Sequence, residues 1–169
     1  MDISALELKD ERTQDIDAIY ELTQLAFADM PYSDGDEQDV VNRLRDANAL
    51  LLSNVAWLNG DIVGQVSFSP VTLNGVESNW VALGPVSVTP ILQGLGIGGQ
   101  LIRAGLEHFA NTGSDGCILT GNPAYYQRFG FALAPDHCPT NEPPEYFMIH
   151  PLNQNKPVGN FGFHPAFYG

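Results

Sequence analysis

Four of the six residues from 94 to 99 are glycine, and they follow the strand-like run Val86-Ser87-Val88. Glycine lets a backbone approach a bulky anion, and a helix that begins there directs unpaired N–H groups and the positive end of its dipole at that anion. This chemistry favours a pyrophosphate. The same glycine pattern is also typical of a tight strand-to-helix turn in which glycine is needed only for packing.

Neither of two well-known nucleotide-binding motifs is specified by these glycines. A P-loop requires Gly-Lys followed by Ser or Thr, whereas this chain has Gly98-Gly99-Gln100. The alternating glycines 94, 96 and 98 do not follow the dinucleotide-binding spacing G-x-G-x-x-G; Gly94, Gly96 and Gly99 do, but that spacing alone is a weak signal. The segment therefore predicts an anion site of another kind.

A second segment, at residues 121–131, carries two adjacent tyrosines. It reads Gly-Asn-Pro-Ala-Tyr-Tyr-Gln-Arg-Phe-Gly-Phe. Pro123 suits the first turn of a short helix and Gly130 suits its end. A phenol on such a helix has the chemistry of a proton donor to a leaving group, although a packing aromatic residue fits the pattern as well.

Together, the two segments resemble one known family. Residues 93–98, Gln-Gly-Leu-Gly-Ile-Gly, resemble the acyl-coenzyme-A-binding signature of the GNAT acetyltransferase superfamily, Gln/Arg-x-x-Gly-x-Gly/Ala. Residues 86–90 are similar to the central strand of that family, and residues 121–131 to its second cofactor segment. The sequence His-Pro-Ala-Phe at 164–167 resembles the end of a bacterial subgroup of unassigned substrate. The resemblance covers about residues 8–169.

The resemblance implies an α/β mixed sheet, splayed between two parallel central strands and covered by helices on both faces. Residues 1–169 are expected to form a single domain with the tail 151–169 packed on it. Aromatic residues of that tail would cover an edge of the core or pair with a second copy of the chain as a homodimer.

Acetyl-CoA is the co-substrate that the resemblance implies. The backbone of Val86 and Val88 would bond its pantetheine arm, and N–H groups of residues 95–99 would surround its pyrophosphate. The implied cofactor-binding residues are Val86, Ser87, Val88, Gln93, Gly94, Leu95, Gly96, Ile97, Gly98, Gly99, Asn122, Tyr125 and Arg128. Relatives often carry a basic residue at the Leu95 position, which leaves Arg128 or Arg103 as the cation for the 3′-phosphate.

The implied reaction is direct transfer of an acetyl group to a primary amine of a small molecule or peptide. Tyr126 matches the family's general-acid tyrosine, with Tyr125 as the alternative, and a backbone N–H near Val86 would stabilise the oxyanion. An alkylamine has a pKa of about 10 and must lose a proton before it attacks. Glu77 is the first candidate for the base, and Asp34, Glu37 and His137 are the others; each also suits a solvated loop.

Charge separates the chain into regions. Lys and Arg number 7 against 20 Asp and Glu, a net charge of −13, which excludes sequence-independent nucleic-acid binding. Residues 1–46 hold 13 acidic and four basic side chains, whereas residues 84–131 hold two of each. An anionic cofactor would fit the neutral region, and an acidic cleft would favour a cationic amine. Acidic residues that merely solubilise the surface explain the same distribution.

Other classes of site find little support in the sequence. There is no apolar run of membrane-spanning length and no signal-peptide pattern, so we expect a cytoplasmic protein without membrane contact. His137-Cys138 has no partner at metal-ligand spacing, so no metal is predicted. Two other functions remain open: a non-catalytic acyl-CoA sensor or regulatory module, and an acyltransferase for longer chains or a hydroxyl acceptor.

The predicted elements follow an α/β order of helix, helix, hairpin, strand, helix, strand, helix and strand. Thr13 is expected to cap the first helix and Pro70 to end the second strand of the hairpin. Gly84-Pro85 is expected to interrupt the strand that starts at Trp80, because proline cannot donate to a ladder, and to cause a bulge or splayed neighbours. The tail from Pro151 is predicted to be irregular.

Overall fold

A mixed sheet with helices on both faces is the framework in the computed structural model, which describes residues 1–169. Its strands are β1 (Glu7–Asp10), β2 (Leu52–Leu58), β3 (Asp61–Leu73), β4 (Val76–Val88), β5 (Gly116–Thr120), β6 (Ala132–Leu133), β7 (Phe147–Pro151) and β8 (Phe161–Phe163). The helices are α1 (Ile16–Phe27), α2 (Glu37–Asp46), α3 (Ile97–Asn111) and α4 (Pro123–Tyr126). The strand order is β1-β2-β3-β4-β5-β7-β6, and β8 pairs with β3. None of the helices combines the length and the apolar character needed to cross a bilayer.

The parallel strands β4 and β5 pair over a short stretch only. Their register runs from Trp80 opposite Gly116 to Ala82 opposite Ile118. Beyond Ala82 the pairing stops, and the register of β4 against β3 shifts close to Gly84-Pro85. The predicted bulge and splaying are confirmed, and they open a gap between the second half of β4 and the end of β5. The strand itself continues through Gly84-Pro85, so the predicted interruption is wrong.

Alternation along the strands directs side chains to two different cores. Val66 and Phe68 of β3 pack with α3 in the larger core. On the other face, Val55 of β2 packs with Ile19 of α1 and Val41 of α2. The gap between β4 and β5 is therefore flanked by α3 on one face and by α1 and α2 on the other.

Close packing of α3 on the sheet predicts that Gly105→Ala destabilises the fold. A Cβ atom at Gly105 would lie 2.2 Å from Cε2 of Phe68, which is fully buried. We expect the free energy of unfolding to fall by about 2 kcal/mol, because overpacking exceeds the gain in helix propensity. Chemical denaturation measures this change.

Gly98→Ala in the same helix is the matched control. Its Cβ atom would lie 3.5 Å or more from its neighbours, which is ordinary contact. The free energy of unfolding should then be unchanged or rise by up to about 1 kcal/mol. If Gly105→Ala and Gly98→Ala lowered the free energy of unfolding equally, the argument from packing against Phe68 would be contradicted.

Two predictions about the second half of β3 are wrong. The strand passes through Pro70, which pairs opposite Val81, and a register shift follows before Thr72. Proline is tolerated at such irregularities because no ladder bond is required there. The tail is irregular over residues 152–160 as predicted, but the prediction is wrong for residues 161–168, because β8 pairs with β3 and Phe161 packs on Trp80 with ring centroids 4.9 Å apart.

Other boundaries also differ from the prediction. Thr13 does not cap α1: it begins a 3-10 turn, Thr13–Asp15, which is closed by hydrogen bonds between Arg12 and Asp15. The central strand starts at Val76 rather than at Trp80. The edge strand β1 was not predicted, because its four residues are largely exposed and show no apolar alternation.

Candidate active site

Two clefts meet at the gap between β4 and β5. The glycine cleft has a volume of about 540 Å³ and is lined by Met30, Val86, Val88, Leu92, Gln93, Gly94, Gly96, Ile97, Gly98, Gly99, Arg103, Tyr125, Tyr126, Arg128 and Phe129. The acidic cleft has a volume of about 630 Å³ and is lined by Phe27, Tyr32, Asp34, Asp36, Glu37, Val40, Leu83, Gly84, Pro85, Val86, Leu119, Thr120, Tyr126, Asn141, Glu142, Pro143, Phe163, Phe167 and Tyr168. Val86 and Tyr126 line both clefts, so two molecules bound in them would meet at these residues.

The edge of β4 forms one wall of the glycine cleft. Thr89 donates its N–H to the carbonyl of Val63 at 2.9 Å, on the β3 side. Because backbone groups alternate along an antiparallel strand, Val86 and Val88 direct theirs to the side that β5 has left. Gln93 Nε2 donates to the Val88 carbonyl at 3.0 Å and fixes the turn against the strand. The strand thus offers ladder groups to an extended ligand.

The glycine turn leads directly into α3. Gly94 and Gly96 have φ values of 83° and 92°, a left-handed conformation that glycine adopts without strain. The N–H groups of residues 95–99 make no hydrogen bond within the chain, and Gln100 is the first residue that donates back into the turn, to the Gly96 carbonyl at 3.0 Å. These free donors lie at the positive end of a 15-residue helix. The turn therefore suits an anion.

Two arginines are the only charged residues that line the glycine cleft. The Arg103 guanidinium lies 4.7 Å from the ring centroid of Phe129, and that of Arg128 lies 4.6 Å from the ring of Tyr125. Arg128 Nε also donates to the carbonyl of Tyr125 at 2.8 Å. These contacts hold both cations beside the cleft, where they would attract a phosphate.

Tyr126 lies between the two clefts on α4. Its ring packs over Gly121, where a Cβ atom would lie only 2.6 Å from Cε2 of the tyrosine. The Tyr125 ring lies nearly perpendicular to it, with ring centroids 5.0 Å apart. The hydroxyl makes no hydrogen bond within the chain, and burial is the main cause that raises the pKa of Tyr126 above its ordinary value. The phenol therefore keeps its proton at neutral pH.

The acidic cleft carries four carboxylates and no basic side chain. They are Asp34, Asp36, Glu37 and Glu142. Asp36 alone forms an ion pair, with Arg43 at 3.0 Å. The negative field of the first third of the chain thus reaches this cleft, which suits a cationic ligand.

Most of the predicted cofactor-binding residues line the glycine cleft, and three do not. Ser87 lies on the opposite face of β4 from Val86 and Val88 and is buried. Leu95 lies in the glycine turn but its side chain is outside the lining. Asn122 accepts a hydrogen bond from the Ala124 N–H at 3.0 Å, so its side chain caps α4.

Among the predicted base candidates, the structure places only Asp34 and Glu37 at the site. Glu77 is exposed at the start of β4, outside both clefts, and about 30 Å of extended chain separates it from Val86. The prediction for Glu77 is corrected on this ground. His137 binds the carbonyl of Gly159 through Nδ1 at 2.7 Å and does not line either cleft.

The sequence reasoning missed Glu142 and the tail residues Phe163, Phe167 and Tyr168, which form a wall of the acidic cleft. Their position depends on β8 pairing with β3 and on the 3-10 turn Pro165–Tyr168 packing on α2. The only available signal was the concentration of aromatic residues in the tail. It indicates that these side chains are buried, but it does not indicate which surface of the domain they pack against.

Known proteins are similar to this chain in sequence and in fold. A family model for the GNAT acetyltransferase domain matches residues 7–134. The uncharacterized N-acetyltransferase YhbS of Escherichia coli K12 is 35% identical over 120 residues, which span 69% of this chain and 72% of that protein.

Two solved structures have the same fold. A GNAT family acetyltransferase from Brucella melitensis, in complex with acetyl-CoA, is 41% identical, with a TM-score of 0.86 over 96% of this chain and 97% of that one. YhbS from Escherichia coli in complex with CoA is 29% identical, with a TM-score of 0.87 over 97% and 92% of the two chains. The predicted family and fold class are confirmed: the chain belongs to the GNAT family of acetyltransferases.

Proposed function

We propose that the protein transfers the acetyl group of acetyl-CoA directly to a primary amine of a small molecule or peptide. The observation that carries this proposal is the pair of clefts that share Val86 and Tyr126. One cleft suits an anion and the other a cation, so a thioester and an amine entering from opposite sides would meet beside a phenol.

The residues of the glycine cleft fit acetyl-CoA. The free N–H groups of residues 95–99 suit a pyrophosphate, and the unpaired edge at Val86 and Val88 suits the amides of a pantetheine arm. Arg128 and Arg103 supply the cations for the remaining phosphate. The complexes of the two GNAT neighbours with acetyl-CoA and CoA support this choice of ligand.

Each chemical requirement of the transfer has a candidate group in the chain. Acetyl-CoA supplies an activated carbonyl when it is bound. The Val86 N–H, on the open edge of β4, would stabilise negative charge on the carbonyl oxygen. Tyr126 would donate its proton to the leaving sulfur, and its raised pKa keeps that proton in place until the C–S bond breaks.

Direct transfer is favoured because neither cleft is lined by a cysteine or a serine. Both cysteines are buried, and burial raises the pKa of the Cys117 thiol. The site therefore lacks the cysteine or serine that would be the first candidate to carry an acetyl group as a covalent intermediate.

The acceptor is proposed to be a cationic amine. Asp34, Glu37 and Glu142 face the acidic cleft without a cationic partner, and the exposed ring of Tyr32 lies at the same cleft. An ammonium group or a basic peptide end would be attracted by this field. An acidic or neutral amine would bind more weakly.

A thiol-release assay over a panel of amines tests the proposal. We expect release of CoA with cationic amines, such as diamines and peptides with basic amino ends, and a mass increase of one acetyl group in the product. Amino acids of the same chain length as the diamines, in which a carboxylate replaces the second ammonium group, keep a primary amine and serve as the control; they should react poorly. Tight binding of acetyl-CoA without release for any acceptor would contradict the proposal and favour a sensor.

A further inference from the structure

Glu142 is held in the acidic cleft by two hydroxyl groups. Thr120 donates to Oε1 of Glu142 at 2.8 Å, and Tyr168 donates to Oε2 at 2.8 Å. Bonds to a carboxylate are charge-assisted, and each oxygen retains a free lone pair. Glu142 is thus an oriented, half-buried carboxylate and not a mobile surface side chain.

The carboxylate of Glu142 and the ring of Tyr126 both contact residues at the end of β5. Thr120, the donor to Glu142, is the last residue of β5. It immediately precedes Gly121, over which the Tyr126 ring packs. Thr120, Tyr126 and Glu142 all line the acidic cleft, where the two clefts meet.

We propose that Glu142 accepts the proton that the acceptor nitrogen loses as the new C–N bond forms, an assignment that rests on the amine transfer proposed above. The other carboxylates of the cleft are less suited. Asp36 is paired with Arg43, Glu37 at the start of α2 accepts a hydrogen bond from Ser33, and Asp34 is exposed in the segment before α2. None of these three carboxylates is hydrogen-bonded to a residue of β5.

The proposed step is balanced without a further reactant. The bound ammonium group first loses a proton to solvent. The neutral amine nitrogen then attacks the carbonyl carbon, and its acidity rises as the C–N bond forms, so that a carboxylate is a sufficient base for the second proton. Its proton passes to Glu142, the C–S bond breaks, and the sulfur takes the proton of Tyr126. Proton return from Glu142 to Tyr126 through solvent restores both groups and leaves an amide and a thiol.

Tyr168 is a positioning residue in this scheme. The turn Pro165–Tyr168 is fixed on α2, because Arg43 Nε donates to the carbonyl of Ala166 at 2.8 Å and Ala166 packs with Leu44. Burial, followed by the hydrogen bond to Glu142, raises the pKa of Tyr168, so its hydroxyl remains a donor at neutral pH. The tail thereby orients the carboxylate.

The kinetic test uses the full chain and an amine that the wild type acetylates. We expect Glu142→Gln to lower kcat by about 100-fold and Tyr168→Phe by about tenfold, with an unchanged dissociation constant for acetyl-CoA. The double variant should be no slower than Glu142→Gln, because Tyr168 acts only through Glu142. Added formate should restore part of the kcat of Glu142→Ala, which a merely structural role would not allow.

Glu145→Gln and Tyr146→Phe are the matched controls, since both side chains are exposed nearby and outside the cleft. Both should retain the wild-type kcat. A wild-type kcat in Glu142→Gln, additive losses in the double variant, or no effect of formate would each overturn the role of Glu142 and leave amine transfer standing. If the wild type acetylates no amine, the proposed function fails first, and this inference fails with it.

Discussion

We expect Tyr126→Phe to lower kcat for acetyl transfer by about 100-fold and to change the dissociation constant for acetyl-CoA by less than about twofold. Tyr126 is the only residue with a titratable side chain that lines both clefts. The substitution keeps the ring, and with it the packing on Gly121 and Tyr125. Steady-state kinetics and equilibrium binding measure the two effects separately.

The pH profile is part of the same expectation. In the proposed mechanism the protonated phenol is the active form, so activity should fall as the pH rises through the pKa of Tyr126. Because burial raises that pKa, the alkaline loss of kcat should begin above the ordinary range of a phenol and be absent in Tyr126→Phe.

Tyr125→Phe separates the two adjacent tyrosines. Tyr125 lines the glycine cleft only, and its hydroxyl lies 3.5 Å from the Cβ position of Gly98. We therefore expect loss of the Tyr125 hydroxyl to weaken acetyl-CoA binding and to lower kcat only slightly. The assignment of the acid would move to Tyr125 if that variant lost kcat and Tyr126→Phe did not.

The glycine cleft was largely predictable because its groups are local in sequence. The anion site needs only backbone N–H groups at a helix start, and the glycines at 94 and 96 specify the turn that presents them. The helix after Asn122 is specified in the same way, by its cap and by Pro123. Short-range geometry therefore fixes where the cofactor segments lie relative to the strands that precede them.

The acidic cleft was predictable only in part, because its walls come from distant segments. Asp34 and Glu37, which follow α1, were predicted at the site, whereas Glu142 lies before β7, and Tyr168 reaches the cleft only because β8 pairs with the part of β3 that follows Pro70. A rule that ends strands at proline removes that pairing from the prediction. Glu77 was chosen for its position in the sequence beside the central strand, yet a strand of 13 residues carries it far from Val86.

The charge pattern acquires a physical meaning once the two clefts are compared. The chain has only 7 basic residues, and two of them, Arg103 and Arg128, line the glycine cleft, whereas the acidic cleft has none. In the proposed reaction the reacting groups would meet at Val86 and Tyr126, which are both uncharged at neutral pH. Each substrate would thus be attracted to its own side, and a negative charge placed on the wrong side should be disruptive.

We expect Gly98→Asp to raise the dissociation constant for acetyl-CoA by at least about 100-fold, because the carboxylate would face a pyrophosphate at short range. A Cβ atom at Gly98 would lie 3.5 Å from the Tyr125 hydroxyl and 3.6 Å from Val88, so the side chain is accommodated in the empty cleft. An acidic residue in the first turn of α3 interacts favourably with the helix dipole, by about 0.3–1 kcal/mol. The thermal unfolding midpoint should therefore stay the same or rise while binding is lost.

Gln100→Asp is the matched control for this charge. Residue 100 is exposed two positions further along α3 and lies outside the lining of the cleft. Its dissociation constant for acetyl-CoA should rise by less than about fivefold, because the added charge faces solvent and is screened. Isothermal titration calorimetry on both variants decides between the alternatives. Equal effects would indicate a nonspecific loss of affinity with net charge, and an unchanged Gly98→Asp would show that the pyrophosphate does not bind at the glycine turn.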